Sequence, residues 1–328
     1  MWTSSSRKIF KPLFCAALFL LPLQISRAQD VFTDHAKHFD YDQQAPLDLK
    51  EISVQIRAGA TIHDVTYASP KGGKVSAYLV VPQGQGKFAA IIWGHWMLPH
   101  SPTANRDEFL QEAVAYAQVG VVSILINTPQ LREGFRPDPT RFGSQGPELI
   151  AQQVIDLRRA VDLLLSRHDV DPKRIAYVGH SFDAATGAVL DAVDKRPATF
   201  VFMGGPQSVR ELVLKSDSPR MVALRAKSPI EKIEENLKTY AWADPGNYAT
   251  HLGPAPALFQ YALHDDWVPL QDAKDYFAES AGPKESKFYD SDHALNAEAR
   301  RDRWVFLREH LALKSLPLEV LDAIPPTK

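Results

Sequence analysis

Arg174-Ile-Ala-Tyr-Val-Gly179-His-Ser181-Phe-Asp183-Ala-Ala-Thr-Gly187 is the stretch on which the fold turns. Ile175 to Val178 have the β-branched and aromatic character of a buried strand, and the Ala-rich run after Phe182 reads as the start of a helix. Ser181 therefore stands at a strand-to-helix turn. Such a turn can hold a serine in a strained backbone with its hydroxyl pushed out over a sheet, provided the flanking residues are small. Taken alone, the same pattern also fits a serine that merely caps a helix.

Working outward, apolar runs and helical patterns alternate for more than two hundred residues. Residues 60–68 and 74–81 alternate in polarity around the turn Ser69-Pro70-Lys71-Gly72-Gly73 and read as antiparallel opening strands. Continuous apolar runs at 88–93, 121–126, 199–203 and 257–263 read as buried strands, and 286–289 as a short last one. Helical spacing fills 107–118, 148–165, 270–280 and 296–313. Parallel strands need crossovers, so this rhythm predicts an α/β domain with a mainly parallel sheet and helices on both faces. The domain is expected over 60–313, with an arm and opening strand at 29–59, a cap-like excursion over the site at 206–256, and a tail at 314–328.

The first 28 residues differ in kind. Arg7, Lys8 and Lys11 precede an apolar segment from Leu13 to Leu23, and Ser26-Arg27-Ala28 offers small residues for cleavage, the pattern of a secretory signal peptide. The expected product is secreted or periplasmic and has no membrane anchor. Cys15, the only cysteine of the 328 residues, lies inside that segment, so the mature chain would hold no disulfide, thiol nucleophile or thiolate metal site. Without the segment's four basic residues, 33 basic face 39 acidic residues, a net charge of −6. With no basic stripe, nucleic acid is excluded as the expected partner. His95, His100 and His264 lack metal-ligand spacing, and neither a metal nor a cofactor is expected.

Chemistry should collect beyond the carboxyl ends of the parallel strands. Ser181 is the nucleophile candidate, and a serine alcohol needs a base to take its proton as it attacks. His293, after the last strand, is the base candidate. Asp265, after the strand before it, would orient the imidazole, with Asp266 its nearest competitor.

With these residues in view, the sequence resembles the α/β-hydrolase superfamily, in particular its serine-dependent, dienelactone-hydrolase-like esterases. The superfamily pattern is G-x-S-x-G, and Asp183 stands where the last glycine belongs. The order Ser181, Asp265, His293 is that of the superfamily. So are an Asp a short way before a Val-Pro pair, here Val268-Pro269, and a His before a basic and aromatic helix, here containing Arg303-Trp304. The resemblance implies an oxyanion hole built from the backbone N–H of Phe182 and of His95, with Trp96 the fallback, since the family's His-Gly-x appears here as Trp93-Gly94-His95. It implies hydrolysis of a small-molecule carboxylic ester. A peptidase or thioesterase with the same triad, or a hydrolase-fold protein that binds without turnover, are the alternatives. Trp96, Trp242, Tyr248 and Trp267 are candidates to line an apolar acyl pocket, core packing being the other reading.

Overall fold

The computed structural model describes Met1 and residues 32–98, 100–135 and 146–327. The signal-peptide expectation, apart from Met1, falls outside the described residues.

Nine strands form one sheet: β1 (Lys50–Arg57), β2 (Ala60–Ala68), β3 (Lys74–Pro82), β4 (Phe88–Gly94), β5 (Val121–Ile126), β6 (Val170–His180), β7 (Thr199–Met203), β8 (Ala257–Ala262) and β9 (Lys284–Tyr289), in the spatial order β1-β2-β3-β5-β4-β6-β7-β8-β9. The first three strands and the β3–β5 pair are antiparallel, and every pair from β5 through β9 is parallel. β4, β7, β8 and the 175–180 half of β6 are buried nearly throughout, as their apolar runs demand. Helices Leu110–Ala117 and Ala297–His310 cover one face, and Pro147–Ser166, Phe182–Val193 and Leu270–Glu279 the other. From β4 the chain steps to β5 on one side and then to β6 on the other, so the strand order reverses between β4 and β6. A crevice opens at the carboxyl ends of such a pair. Gly94 of β4 lies opposite Gly179 of β6 at that point.

The structure adds detail to three segments. The arm is tied down, because the buried guanidinium groups of Arg158 and Arg159 donate to the carbonyls of Phe39, Gln43 and Ala45. The excursion holds an additional helix, Pro219–Lys227, between Val209–Lys215 and Ile230–Lys238. The tail is packed: Leu316 and Leu321 are buried, and Arg300 donates to the carbonyls of Leu321, Ile324 and Pro325.

Candidate active site

Ser181 has φ +54° and ψ −109°, outside the regions a side chain ordinarily favours, at a cost of about 1–3 kcal/mol. The surroundings hold it there. Its N–H donates to the Met203 carbonyl of β7 at 2.7 Å, and its carbonyl accepts from Ala184 and Ala185 in the first turn of the helix. Gly179 lets that turn close on the strand, since a Cβ there would lie 2.2 Å from the Asp183 carbonyl oxygen.

Asp183 replaces the glycine of the superfamily pattern without loosening the turn, and Gly94 is the reason. A Cβ at residue 94 would sit 2.5 Å from the Asp183 Cβ, so the missing side chain on β4 makes room for the one on the helix. The buried carboxyl accepts from Gln153 Nε2 (2.8 and 3.0 Å) and Thr186 Oγ1 (2.7 Å), and burial raises its pKa to about 7.

Three loops meet over this turn. His293 Nε2 lies 2.8 Å from Ser181 Oγ, and His293 Nδ1 lies 2.8 Å from Asp265 Oδ2. The other carboxylate oxygen, Oδ1, accepts from the N–H groups of Trp267 (2.8 Å) and Val268 (3.0 Å), which fixes the Asp265 side chain. With an acceptor at Nδ1, the ring carries its proton there and leaves Nε2 free to accept from the serine. Asp266 is exposed, and what it contributes is its carbonyl, which accepts from Ser216 Oγ.

The loop after β4 is arranged otherwise than expected. The His95 N–H is directed at the Asp183 carboxyl, and the Trp96 N–H donates to Glu108 Oε2 at 2.7 Å. Both backbone donors that the resemblance singled out in this loop are thus turned to buried carboxyls. The His95 ring is buried as well: the Thr128 N–H donates to Nε2, Nδ1–H donates to the Trp96 carbonyl, and burial lowers the pKa to about 4. The next residue, Met97, lines the cavity beside Ser181 and Phe182. Among the described residues no acceptor meets the N–H of Met97 or of Phe182.

That cavity opens to solvent, and its empty space, the open mouth included, is about 940 Å³. Val209, Leu212, Met221 and Tyr240 of the excursion line it, together with Trp267, Phe182 and Leu98. Of the four aromatic candidates, only Trp267 lines it. Trp96 is buried, stacked on His180 at 4.9 Å between ring centroids. Trp242 and Tyr248 pack on Phe39 of the arm, at 6.1 and 5.7 Å, where the arm lies against helix Pro147–Ser166. Among the described residues no group of three or more His, Cys, Asp or Glu is placed to hold a metal, and no helix is long and apolar enough to cross a membrane. His264 instead pairs with Asp290 on the surface at 2.8 Å.

Sequence reasoning missed a second histidine and its carboxylate. His180 Nδ1 lies 2.5 Å from Glu108 Oε1, with both side chains fully buried, and His180 Nε2 lies 2.9 Å from the His293 carbonyl oxygen. Helical spacing predicts a helix from 107, whereas the helix begins at Leu110 and Glu108 occupies the preceding turn, its side chain buried. A histidine at the end of a buried strand needs a polar partner, and that requirement was the available signal.

Comparison with solved structures gives an acetyl xylan esterase from Paenibacillus sp. R4 at a TM-score of 0.68 and 22% identity, covering 92% of this chain and 97% of that one. Acetyl xylan esterase 1 from Thermoanaerobacterium sp. JW/SL YS485 follows at 0.67 and 16%, covering 86% and 93%. The chain has the α/β-hydrolase fold. A glucuronoyl esterase from Solibacter usitatus shares the hydrolase fold at 0.58 and 14%, over 89% and 93%. Two uncharacterized proteins of Mycobacterium tuberculosis, from strains CDC 1551 / Oshkosh and ATCC 25618 / H37Rv, are each 29% identical over 161 residues, which is 44% of this chain. The match spans about half (53%) of those relatives. No protein-family model matches the chain.

Proposed function

We propose that the chain is a secreted serine hydrolase that cleaves carboxylic esters through an acyl-enzyme intermediate. The supporting observation is the unbroken hydrogen-bonded run from Ser181 Oγ through His293 to Asp265, at 2.8 Å in each step, set beside an open cavity. Ser181 Oγ attacks the ester carbonyl while His293 Nε2 takes its proton. Asp265 stabilises the imidazolium, and His293 returns the proton to the departing alcohol. Water then adds to the acyl-enzyme by the same route and releases the acid. The negative charge on the carbonyl oxygen meets the Phe182 N–H, at the positive end of its helix, and the Met97 N–H in place of that of His95.

The wall of the cavity favours an ester with an apolar acyl chain. A hydroxyl buried against Leu212, Met221 or Trp267 without a partner costs about 1–3 kcal/mol, which disfavours a polyhydroxylated group in that position. Export rests on the basic, apolar and small-residue pattern of residues 1–28. A fluorophosphonate probe should label the wild-type protein and leave Ser181→Ala untouched. Turnover of p-nitrophenyl esters should rise from the acetyl ester towards chains of about four to eight carbons. Full activity in Ser181→Ala would end the proposal, and a maximum at acetyl would end its substrate clause.

A further inference from the structure

The proposed triad leaves one buried pair of ionisable side chains unexplained. His180 precedes the nucleophile, and Glu108 comes from the turn before helix Leu110–Ala117. Each makes a second contact. His180 Nε2 lies 2.9 Å from the carbonyl oxygen of His293, and Glu108 Oε2 accepts the Trp96 N–H at 2.7 Å. A carbonyl can only accept, so His180 Nε2 carries a proton. The contact between Nδ1 and Oε1 then holds one more proton, on either atom, and the pair is neutral as a whole. The Trp96 ring stacks on His180, and the His180 and His293 rings lie 5.3 Å apart.

We propose that His180 and Glu108 are positioning residues that lock the base loop and the loop after β4 onto the nucleophile turn, so that His293 Nε2 and the Met97 N–H stay aligned on one reacting carbonyl. Packing alone would not require this pair. A buried ion pair contributes little net stability over apolar residues of similar volume, whereas it fixes geometry through directed bonds. Here the bonds run to the main chain of two loops whose placement must hold within about 0.5 Å for the chemistry. The pair reaches neither the cavity nor the ester, so it acts only through the residues it holds.

This inference rests on the assignment of Ser181 and His293 above, and Ser181→Ala, run alongside, reports on that assignment by itself. The informative variant is the double substitution His180→Phe/Glu108→Met, which removes both polar partners together and leaves no orphaned charge. It should melt within a few degrees of the parent, yet show kcat lowered about 10- to 100-fold with KM changed less than about threefold, and fluorophosphonate labelling slowed in proportion. Glu108→Asp keeps the charge but withdraws it by one methylene, so that it cannot span Trp96 and His180. It should lower kcat at least about tenfold at similar KM. Glu108→Gln can still accept from Trp96 and donate to His180, and should recover most of the rate. A double variant, or a Glu108→Asp protein, with kcat within about threefold of the parent overturns the proposal. So does Glu108→Gln falling as low as Glu108→Asp.

Discussion

The loop that carries His293 and the loop that follows β4 leave the same edge of the sheet and face the same serine, yet they contribute in different currencies. The first offers a side chain, bonded at 2.8 Å to Ser181 and at 2.8 Å to Asp265. The second offers main chain: the His95 ring is buried, the His95 N–H is directed at Asp183, and Met97, whose N–H meets no acceptor among the described residues, lines the cavity. A side-chain role can be read from residue type and strand position. A backbone role depends on where each peptide points, which residue type does not encode.

The largest expected effect tests the side-chain half of this contrast. Ser181→Ala and His293→Ala should each lower kcat by about 10⁴- to 10⁶-fold, measured on a short p-nitrophenyl ester. Less than a tenfold loss in either breaks the comparison outright. Asp265→Asn should cost about 10³- to 10⁴-fold and Asp266→Asn less than about threefold, and a reversal of that order would exchange the two carboxylates. The backbone half is sharpened by Met97→Pro, which removes the N–H together with the thioether that accepts from Thr128, and should reduce kcat by about 10²- to 10³-fold where Met97→Ala, which keeps the N–H, costs less than about tenfold. An equal loss in His95→Pro with no loss in Met97→Pro would return the role to residue 95.

Smaller effects probe the supports beneath. Gly94→Ala places a methyl 2.5 Å from the Asp183 Cβ and 2.6 Å from the Tyr177 hydroxyl, and should destabilise by about 1–3 kcal/mol in denaturant melts. The pH dependence of stability is subtler. Asp183, raised by burial from 3.8 to about 7, binds more protons folded than unfolded across that interval, so its contribution falls as pH rises through it. His95, lowered by burial from 6.5 to about 4, binds fewer, so its contribution rises with pH over the same range. Asp183→Asn removes only the first. Relative to the parent, it should therefore gain stability between about pH 5 and about pH 7, and an unchanged pH slope would contradict the burial argument.

Much of the fold was legible because the central parallel strands are buried on both sides and print as apolar runs; the expected and observed bounds of the runs at 121–126 and 199–203 coincide. Elements lacking that signature were harder to read. Helix Pro219–Lys227 has only Met221 fully buried, leaving little periodic signal. Side-chain type alone leaves Trp242 and Tyr248 open to pocket or core, and the covering arm, whose sequence has no period, claims both. The partner of His180 lies 72 residues earlier in the chain, a separation that local pattern does not span.

Gly94 and Asp183 also bear on how such proteins are found. A pattern search that insists on glycine two places after the serine passes over this chain, although its elbow is as tightly built as the pattern intends. The underlying rule is conjunctive: between residues 94 and 183 there is volume for one side chain, and either strand or helix can supply it. Searches framed on that shared volume would admit sequences in which the two positions have traded occupancy, and would reject those in which both are filled.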